Sequence, residues 1–309
     1  MAGMINHRLP WPSPYNAGMS PDAANRFGTL WVIATPIGNL QDLSTRAAEV
    51  LASVAVVAAE DTRVSARLLG HRREPVRMVA LNEHSERRQI TGLLDSLGAG
   101  LDVALVSDAG TPLISDPGYR LVCAAHEAGY RVSPVPGPCA AIAGLSVAGL
   151  ASDRFCFEGF LPAKAAARRS RLQALASVPV TLIFYVPARD LVGVLDDCID
   201  VLGDEREAAL GRELTKLHET VRRASLTELA AFCREDSNQA RGEAVLLISG
   251  CGDEPQAAVD SKALARELAA ELAPSKAAGI LARLTSLSRK QAWTLIERIR
   301  ADESSPGSS

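Results

Sequence analysis

At 309 residues, 47% hydrophobic and 22% charged, the chain has the composition of an ordinary globular protein with room for two domains. A formal net charge of −3 excludes a global basic field, and an aromatic content of 4% argues against a broad base-stacking platform, so nucleic-acid contact would have to come from local patches. Cysteines stand at 123, 139, 156, 198, 233 and 251 with no Cys-x-x-Cys pair, so no metal site or redox couple is expected; a reducing, cytoplasmic compartment fits, and no apolar run reaches the length of a membrane span.

Taken in order, residues 1–26 are broken by Pro10, Pro12, Pro14 and Pro21 and read as a disordered extension. A first α/β domain is expected over 27–148. It begins with a buried strand at 29–35 running into Pro36-Ile-Gly-Asn-Leu40, followed by an amphipathic helix at 45–52 that Ser44 can cap. A second strand at 54–59 ends in Glu60-Asp-Thr-Arg63, where Asp61 either serves chemistry or caps a helix start. A basic helix from Arg63 to Arg73, a strand at 78–81, Asn82-Glu-His84 and a helix at 86–98 lead to Val103-Ala-Leu-Val106. That strand opens into Ser107-Asp-Ala-Gly-Thr-Pro-Leu-Ile-Ser-Asp-Pro-Gly118, a loop of small polar and turn residues placed where open α/β sheets bind ligands. A helix at 118–128 and a strand at 131–135 running into Pro136-Gly-Pro138 complete a strand–helix alternation that predicts a parallel sheet. Gly-x-Gly-x-x-Gly is absent, which makes a nicotinamide oxidoreductase a weak candidate. Gly144-Leu-Ser146 continues into Ala148, so the nucleophile elbow of a serine hydrolase is incomplete.

Residues 144–153 read as a connection into a second α/β domain over 149–255. Strands are expected at 155–160, 181–186, 208–214 and 244–249, with helices around 164–171 and 191–202. Lys164, Arg168, Arg169 and Arg171 follow one another with no acid between them; they form either a phosphate-binding cluster or a solvated helix face. From 260 to 301 the composition turns to Ala, Leu, Lys, Arg and Glu at helical spacing. Two or three short helices are expected there, with Ser288 as an N-cap, and they could bind RNA in helix-turn-helix fashion or pack on the main body. Residues 302–309 read as a disordered tail.

Together, Thr35-Pro-Ile-Gly-Asn-Leu40, Ala59-Glu-Asp-Thr-Arg63, Asn82-Glu-His84, Val106 to Gly118, Pro136-Gly-Pro138, Phe157-Glu-Gly-Phe-Leu-Pro162 and Arg212-Glu-Leu-Thr-Lys216 resemble the ribosomal RNA small subunit methyltransferase I family of the tetrapyrrole-methylase-like class. The likeness runs colinearly from about residue 29 to 300. It implies transfer of a methyl group from S-adenosylmethionine to the ribose 2′-hydroxyl of a cytidine in the decoding region of 16S rRNA. It further implies two α/β domains with the cofactor in the cleft between them, and a homodimer acting on the small ribosomal subunit. Family members usually carry Phe-Tyr-Glu-Ser-Pro-His-Arg where this chain has Phe184-Tyr-Val-Pro-Ala-Arg189, so an acid and a histidine are missing here.

The resemblance puts cofactor contacts at Ile37, at Asp108, Ala109, Gly110, Thr111 and Ile114, at Cys139 and Ala140, and at Val186 and Leu214. Small residues there let backbone groups approach an adenosyl moiety closely. A ribose hydroxyl is a weak nucleophile near neutral pH, so a base helps; Asp61, His84, Glu213 and Lys216 are the candidates, and Lys216 could instead hold a phosphate. Arg63 and the Lys164, Arg168, Arg169 and Arg171 cluster are the candidate RNA contacts. Two other functions stay open: a tetrapyrrole-type small-molecule methylase, which would need neither basic surface nor C-terminal helices, and a non-catalytic RNA-binding assembly factor with a vestigial pocket.

Overall fold

A computed structural model describes residues 27–70, 75–81, 86–251, 261–285 and 287–304; the predicted N-terminal extension, His84 and residues 305–309 lie outside them. The first sheet is built from β1 (Thr29–Ile33), β2 (Val56–Ala59), β3 (Arg77–Ala80), β4 (Val103–Val106) and β5 (Arg131–Val135), in the order β3-β2-β4-β1-β5. Every pairing in it is parallel. Strands β2 and β4 are buried at every position, as continuous apolar runs in a sheet covered on both faces should be. Helices α3 (Glu86–Gly98) and α4 (Tyr119–Glu127) close one face over Leu30, Leu105 and Leu121, and α1 (Thr45–Ser53) closes the other over Ile33, Val57 and Ala104. Because β4 is inserted between β1 and β2, the loops that follow these three strands leave the carboxyl edge side by side.

The expected long basic helix begins as one turn, α2 (Thr62–Ser65), capped by the Asp61 side chain on the Arg63 amide, and continues as a 3-10 segment over Ala66–Leu69.

The second sheet combines β6 (Phe155–Phe160), β7 (Thr181–Pro187), β8 (Glu207–Arg212), β9 (Thr220–Ser225) and β10 (Glu243–Ile248) in the order β6-β7-β10-β8-β9. Only β6 and β7 run parallel; the remaining pairs are antiparallel. Helices α6 (Ala165–Leu175), α7 (Leu191–Leu202) and α8 (Leu226–Glu235) bury one face around Phe184, Leu195, Leu229 and Leu246. The opposite face is covered by α5 (Ala140–Ala148), whose Ala141 and Leu145 pack on Ile183, Val245 and Leu247.

Three differences from the sequence reading have local causes. Residues 144–148 form the end of α5 rather than a connection, because its run of Ala, Gly, Leu and Val shows no polar face to betray a helix. Strand β9 pairs along β8 although its sequence, Thr-Val-Arg-Arg-Ala-Ser, lacks clean alternation, as an edge strand tolerates. The expected strand over 208–214 stops at Arg212, since Glu213 (φ 51°) and Thr215 (φ 66°) take left-handed backbone.

Helices α9 (Ser261–Glu271), α10 (Pro274–Leu284) and α11 (Arg289–Ser304) share a small core of Ala265, Ala277, Leu281, Ala292 and Ile296. Helix α11 extends to Ser304, into the stretch expected to be tail.

Candidate active site

The loops after β1 and β4 are stitched into one unit. Thr35 and Gly110 form an isolated β-bridge, with the Thr35 amide donating to the Gly110 carbonyl at 2.8 Å and the Gly110 amide returning the bond at 3.1 Å. The Thr35 hydroxyl is 3.2 Å from the Ser107 carbonyl, and the Thr111 hydroxyl donates to the Pro138 carbonyl at 2.9 Å, joining the loop to the Pro-Gly-Pro turn. Gly110 sits at φ +88°, and a Cβ there would lie 3.4 Å from the Ile37 side chain. A larger residue would be strained and would push into the ligand side of the loop.

Opposite this unit stands the Glu213–Lys216 turn. The buried Arg212 guanidinium pins it, donating to Gln239 Oε1 at 2.8 Å, the Arg241 carbonyl at 3.0 Å and the His218 carbonyl at 3.0 Å. Glu213 accepts from Lys216 Nζ at 2.8 Å and from the Glu243 amide at 3.1 Å. The two sides meet at Gly38, where a Cβ would stand 2.4 Å from Lys216 Cγ and 3.0 Å from the Leu214 carbonyl oxygen. Only glycine permits that approach.

Between them lies a cleft of about 770 Å³, within the range typical of small-molecule sites. Of the predicted cofactor residues, Ile37, Asp108, Ala109, Gly110, Thr111, Ile114, Ala140, Val186 and Leu214 line it. Cys139 stands behind the wall at the start of α5, its Sγ 4.0 Å from the Tyr185 hydroxyl. Asp108 also holds the loops in register, accepting the Asp61 amide at 3.0 Å.

The predicted acid–base candidates separate. Glu213 and Lys216 line the cleft but are committed to each other. Burial would raise the Glu213 carboxyl, yet the hydrogen bonds from Lys216 and the Glu243 amide hold it below the usual carboxylate range. Asp61 is chelated by Arg63, with its carboxylate 2.6 Å from Arg63 Nη2, and the side-chain and backbone hydrogen bonds from Arg63 hold it down at about 2. At that point the cleft wall is Glu60.

Within the expected RNA-binding cluster Arg168 alone is turned inward; Arg169, Arg171 and Lys164 keep exposed side chains. Arg168, 12% exposed, meets the buried Asp197 at 2.6 Å and donates also to the carbonyls of Pro162 and Ala163. Arg169 bonds the other Asp197 oxygen at 2.5 Å. Burial would raise Asp197, but the hydrogen bonds from Arg169 and Arg168 keep its carboxyl below the normal range. Arg171 pairs with Glu158 of β6. These arginines fasten α6 to α7 and β6, Arg169 and Arg171 doing so from the exposed face of α6, and Lys164 is exposed at its start.

Other cleft residues carry no role in the sequence reading. Phe160, 59% exposed, lines the cleft edge-to-face with Tyr185 at a 5.6 Å centroid distance. Arg189, its side chain 81% exposed, stands at the rim. Asp116 lies on the wall, and burial raises its carboxyl to about 6, with the Ser107 hydroxyl opposing and Glu60, Asp108 and Glu243 adding to the rise. Phe160 and Asp116 both fall inside the motifs that carry the family resemblance, Phe160 after Gly159 at the end of β6 and Asp116 before Pro117 in the loop after β4.

Residues 29–230 match the model of the Tetrapyrrole (Corrin/Porphyrin) Methylases. Over 263 residues the chain is 54% identical to a Pseudomonas aeruginosa protein named ribosomal RNA small subunit methyltransferase I, covering 84% of this chain and 93% of that one. The chain belongs to this methyltransferase family. Like other tetrapyrrole methylases, it shares its fold with solved structures of low sequence identity. The methyltransferase CobJ superposes with a TM-score of 0.55 at 20% identity, covering 72% of this chain and 95% of that one. A uroporphyrin-III C-methyltransferase from Thermus thermophilus, complexed with S-adenosylhomocysteine, gives 0.50 at 21% identity over 72% and 97%. The fold is therefore that of the tetrapyrrole methylases, and none of the described helices is long and apolar enough to cross a membrane.

Proposed function

We propose that this protein transfers a methyl group from S-adenosylmethionine to the ribose 2′-hydroxyl of a cytidine in the decoding region of 16S rRNA. It would act on the small ribosomal subunit in the cytoplasm, as a homodimer. The observation that carries this reading is the two-sided cleft, in a chain 54% identical to a protein of that name. The loop wall is built of small uncharged residues, Ala109, Gly110, Thr111 and Ala140, and Val186 and Leu214 add apolar cover from the facing side. It fits an adenosyl group, which needs close backbone approach and apolar cover. The bound cofactor supplies an activated methyl carbon; this chain's residues have to bring the ribose oxygen in line with it, a placement worth several orders of magnitude in rate.

The other wall, with Phe160, Tyr185 and Arg189, suits the acceptor. An unstacked base can lie on an exposed aromatic ring, and a rim arginine can hold the adjoining phosphate. Arg63, 88% exposed, and Lys164 remain candidate backbone contacts. The C-terminal helices add Lys276, Arg283 and Arg289 around a shallow concavity of about 630 Å³, a second basic surface for RNA. The small-molecule alternative is not favoured by the named relatives, and an intact neutral wall argues against a vestigial pocket.

The test is methyl transfer from labelled S-adenosylmethionine to small subunits from cells lacking this protein, with free 16S rRNA alongside and the label mapped. Label on one decoding-region cytidine ribose is the expected result. No label on either RNA, with cofactor still bound, would return the small-molecule methylase to first place.

A further inference from the structure

We infer that Asp116 is the catalytic residue that takes the proton from the acceptor hydroxyl, an assignment that rests on the methyl-transfer reading above. Position comes first. The loop from Ser107 to Gly118 carries Asp116 across the mouth of the neutral wall to the acceptor wall, where a Cβ on Gly159 would stand 3.0 Å from Ser115 Oγ. Asp116 thus lines the same cleft as Ala109 and Gly110 on one side and Phe160 and Tyr185 on the other. Leu113 (φ 74°) and Ser115 (φ 68°) hold the loop in left-handed backbone that neither side chain favours, the kind of strain that persists where a site demands a particular placement.

Asp61 is chelated by Arg63, Glu213 is tied to Lys216 and the Glu243 amide, and Glu158 is paired with Arg171. Of the other acids lining the cleft, Glu60, Asp108, Asp116 and Glu243, Asp108 accepts the Asp61 amide and Asp116 is the one set beside the left-handed Leu113 and Ser115 where the loop meets the acceptor wall. The groups that face Asp116 are of another kind: the Ser107 hydroxyl beside β4, the like charges of Glu60 after β2, Asp108 on its own loop and Glu243 at the start of β10, and the Tyr185 ring of β7. Across the cleft stand Glu213, Lys216 and Arg189. A half-buried carboxylate among like charges gains from accepting a proton, and its affinity, raised to about 6, lies close to the pH at which a base works best.

The chemistry balances. The ribose 2′-oxygen attacks the methyl carbon and the new C–O bond forms as the C–S bond breaks, its electron pair staying on sulfur to give neutral S-adenosylhomocysteine. The hydroxyl proton passes to the Asp116 carboxylate and then to solvent.

The experiment is the pH profile of single-turnover methyl transfer to small subunits by the wild type, Asp116→Asn and Asp116→Glu, with cofactor affinity measured by calorimetry. Wild-type activity is the control for the function itself: if it fails, the methyl-transfer reading falls, whatever Asp116 does. Given wild-type activity, the expected result is an acid limb near pH 6. Asp116→Asn should abolish that limb and lower the rate by about 100-fold or more, with cofactor affinity changed less than about threefold, a change of under 1 kcal/mol. Asp116→Glu should recover part of the rate with a displaced limb. An unchanged rate and limb in Asp116→Asn would overturn the assignment. If Asp116→Asn loses cofactor binding, Asp116→Glu decides: a displaced limb supports the assignment and an unmoved limb overturns it.

Discussion

Helix α6 and the cleft mouth both concentrate charged residues, and the chain uses them in opposite ways. On α6 the arginines find acids within the fold, above all Asp197, whose two oxygens are taken by Arg168 and Arg169. At the cleft mouth, Asp116 faces other acids and Arg189 projects outward, touching only the rim of Asp190 at 3.7 Å among the described ion pairs. The difference teaches that a run of like charges in the sequence says little about ligands. What matters is whether the fold supplies the counter-charge: where it does, the group is structural, and where it withholds it, the group is left for a substrate.

That contrast can be broken at several points. The largest expected effect is on the neutral wall: Gly110→Val should weaken cofactor binding on the order of 100-fold in calorimetry, with the circular-dichroism spectrum preserved, because the substituted loop pushes toward Ile37. Next, Arg168→Ala should cost about 2 kcal/mol of stability in urea titrations, since it takes one of two arginine partners from the buried Asp197 carboxylate and leaves Arg169 on the other oxygen, while RNA affinity of the folded protein stays as it was. A pure loss of RNA affinity without loss of stability would show that α6 faces the substrate after all. Phe160→Ala and Arg189→Ala should do the reverse, raising KM for the subunit by about tenfold each, as one stacking or phosphate contact is worth 1–3 kcal/mol, without moving the melting temperature.

A smaller effect separates the two kinds of carboxylate by pH. Asp116 has a folded-state affinity raised above its unfolded value of 3.8, so the native protein loses stability as pH rises from about 4 to 6 and does not regain it above. Asp116→Asn should therefore melt higher than wild type at pH 8 and match it below pH 4. Asp197 and Glu213 are depressed, so their contribution is complete above the ordinary carboxylate range and is lost as pH falls from that range down through their lower folded-state values. Asp197→Asn should melt lower than wild type at pH 7. Smallest of all, Arg63→Ala should leave the melting temperature unchanged, because an exposed pair with Asp61 is screened by water, and should raise the Asp61 carboxyl only in part, since the backbone amide of residue 63 still donates to it.

Much of the first sheet is legible in the sequence, because parallel strands buried on both faces, such as Val103–Val106, read as unbroken apolar runs between amphipathic helices. The neutral wall is legible for a related reason: close approach demands small residues, and Ala109, Gly110 and Thr111 announce it. The second sheet is harder to see. Its edge strand β9 carries arginines and α5 is nearly all apolar, whereas α8 is signalled both by the Ser225–Glu228 capping box and by Leu226, Leu229, Ala230 and Cys233 at helical spacing. Partnering is hardest of all. Asp197 lies 29 positions from Arg168, and Asp116 stands among acids contributed by three separate strand ends, relations that arise only when the chain closes.

The bridge between Thr35 and Gly110 carries a consequence for how this loop breathes. Both amides are donors in a two-residue extension of the sheet, anchored from behind by the Thr35 hydroxyl. In deuterium exchange, the Gly110 amide should therefore keep pace with the slow protons of β1 and β4 rather than with surface turns. A ligand meeting this loop finds a surface already set before it arrives, one whose ordering entropy was settled when the protein folded.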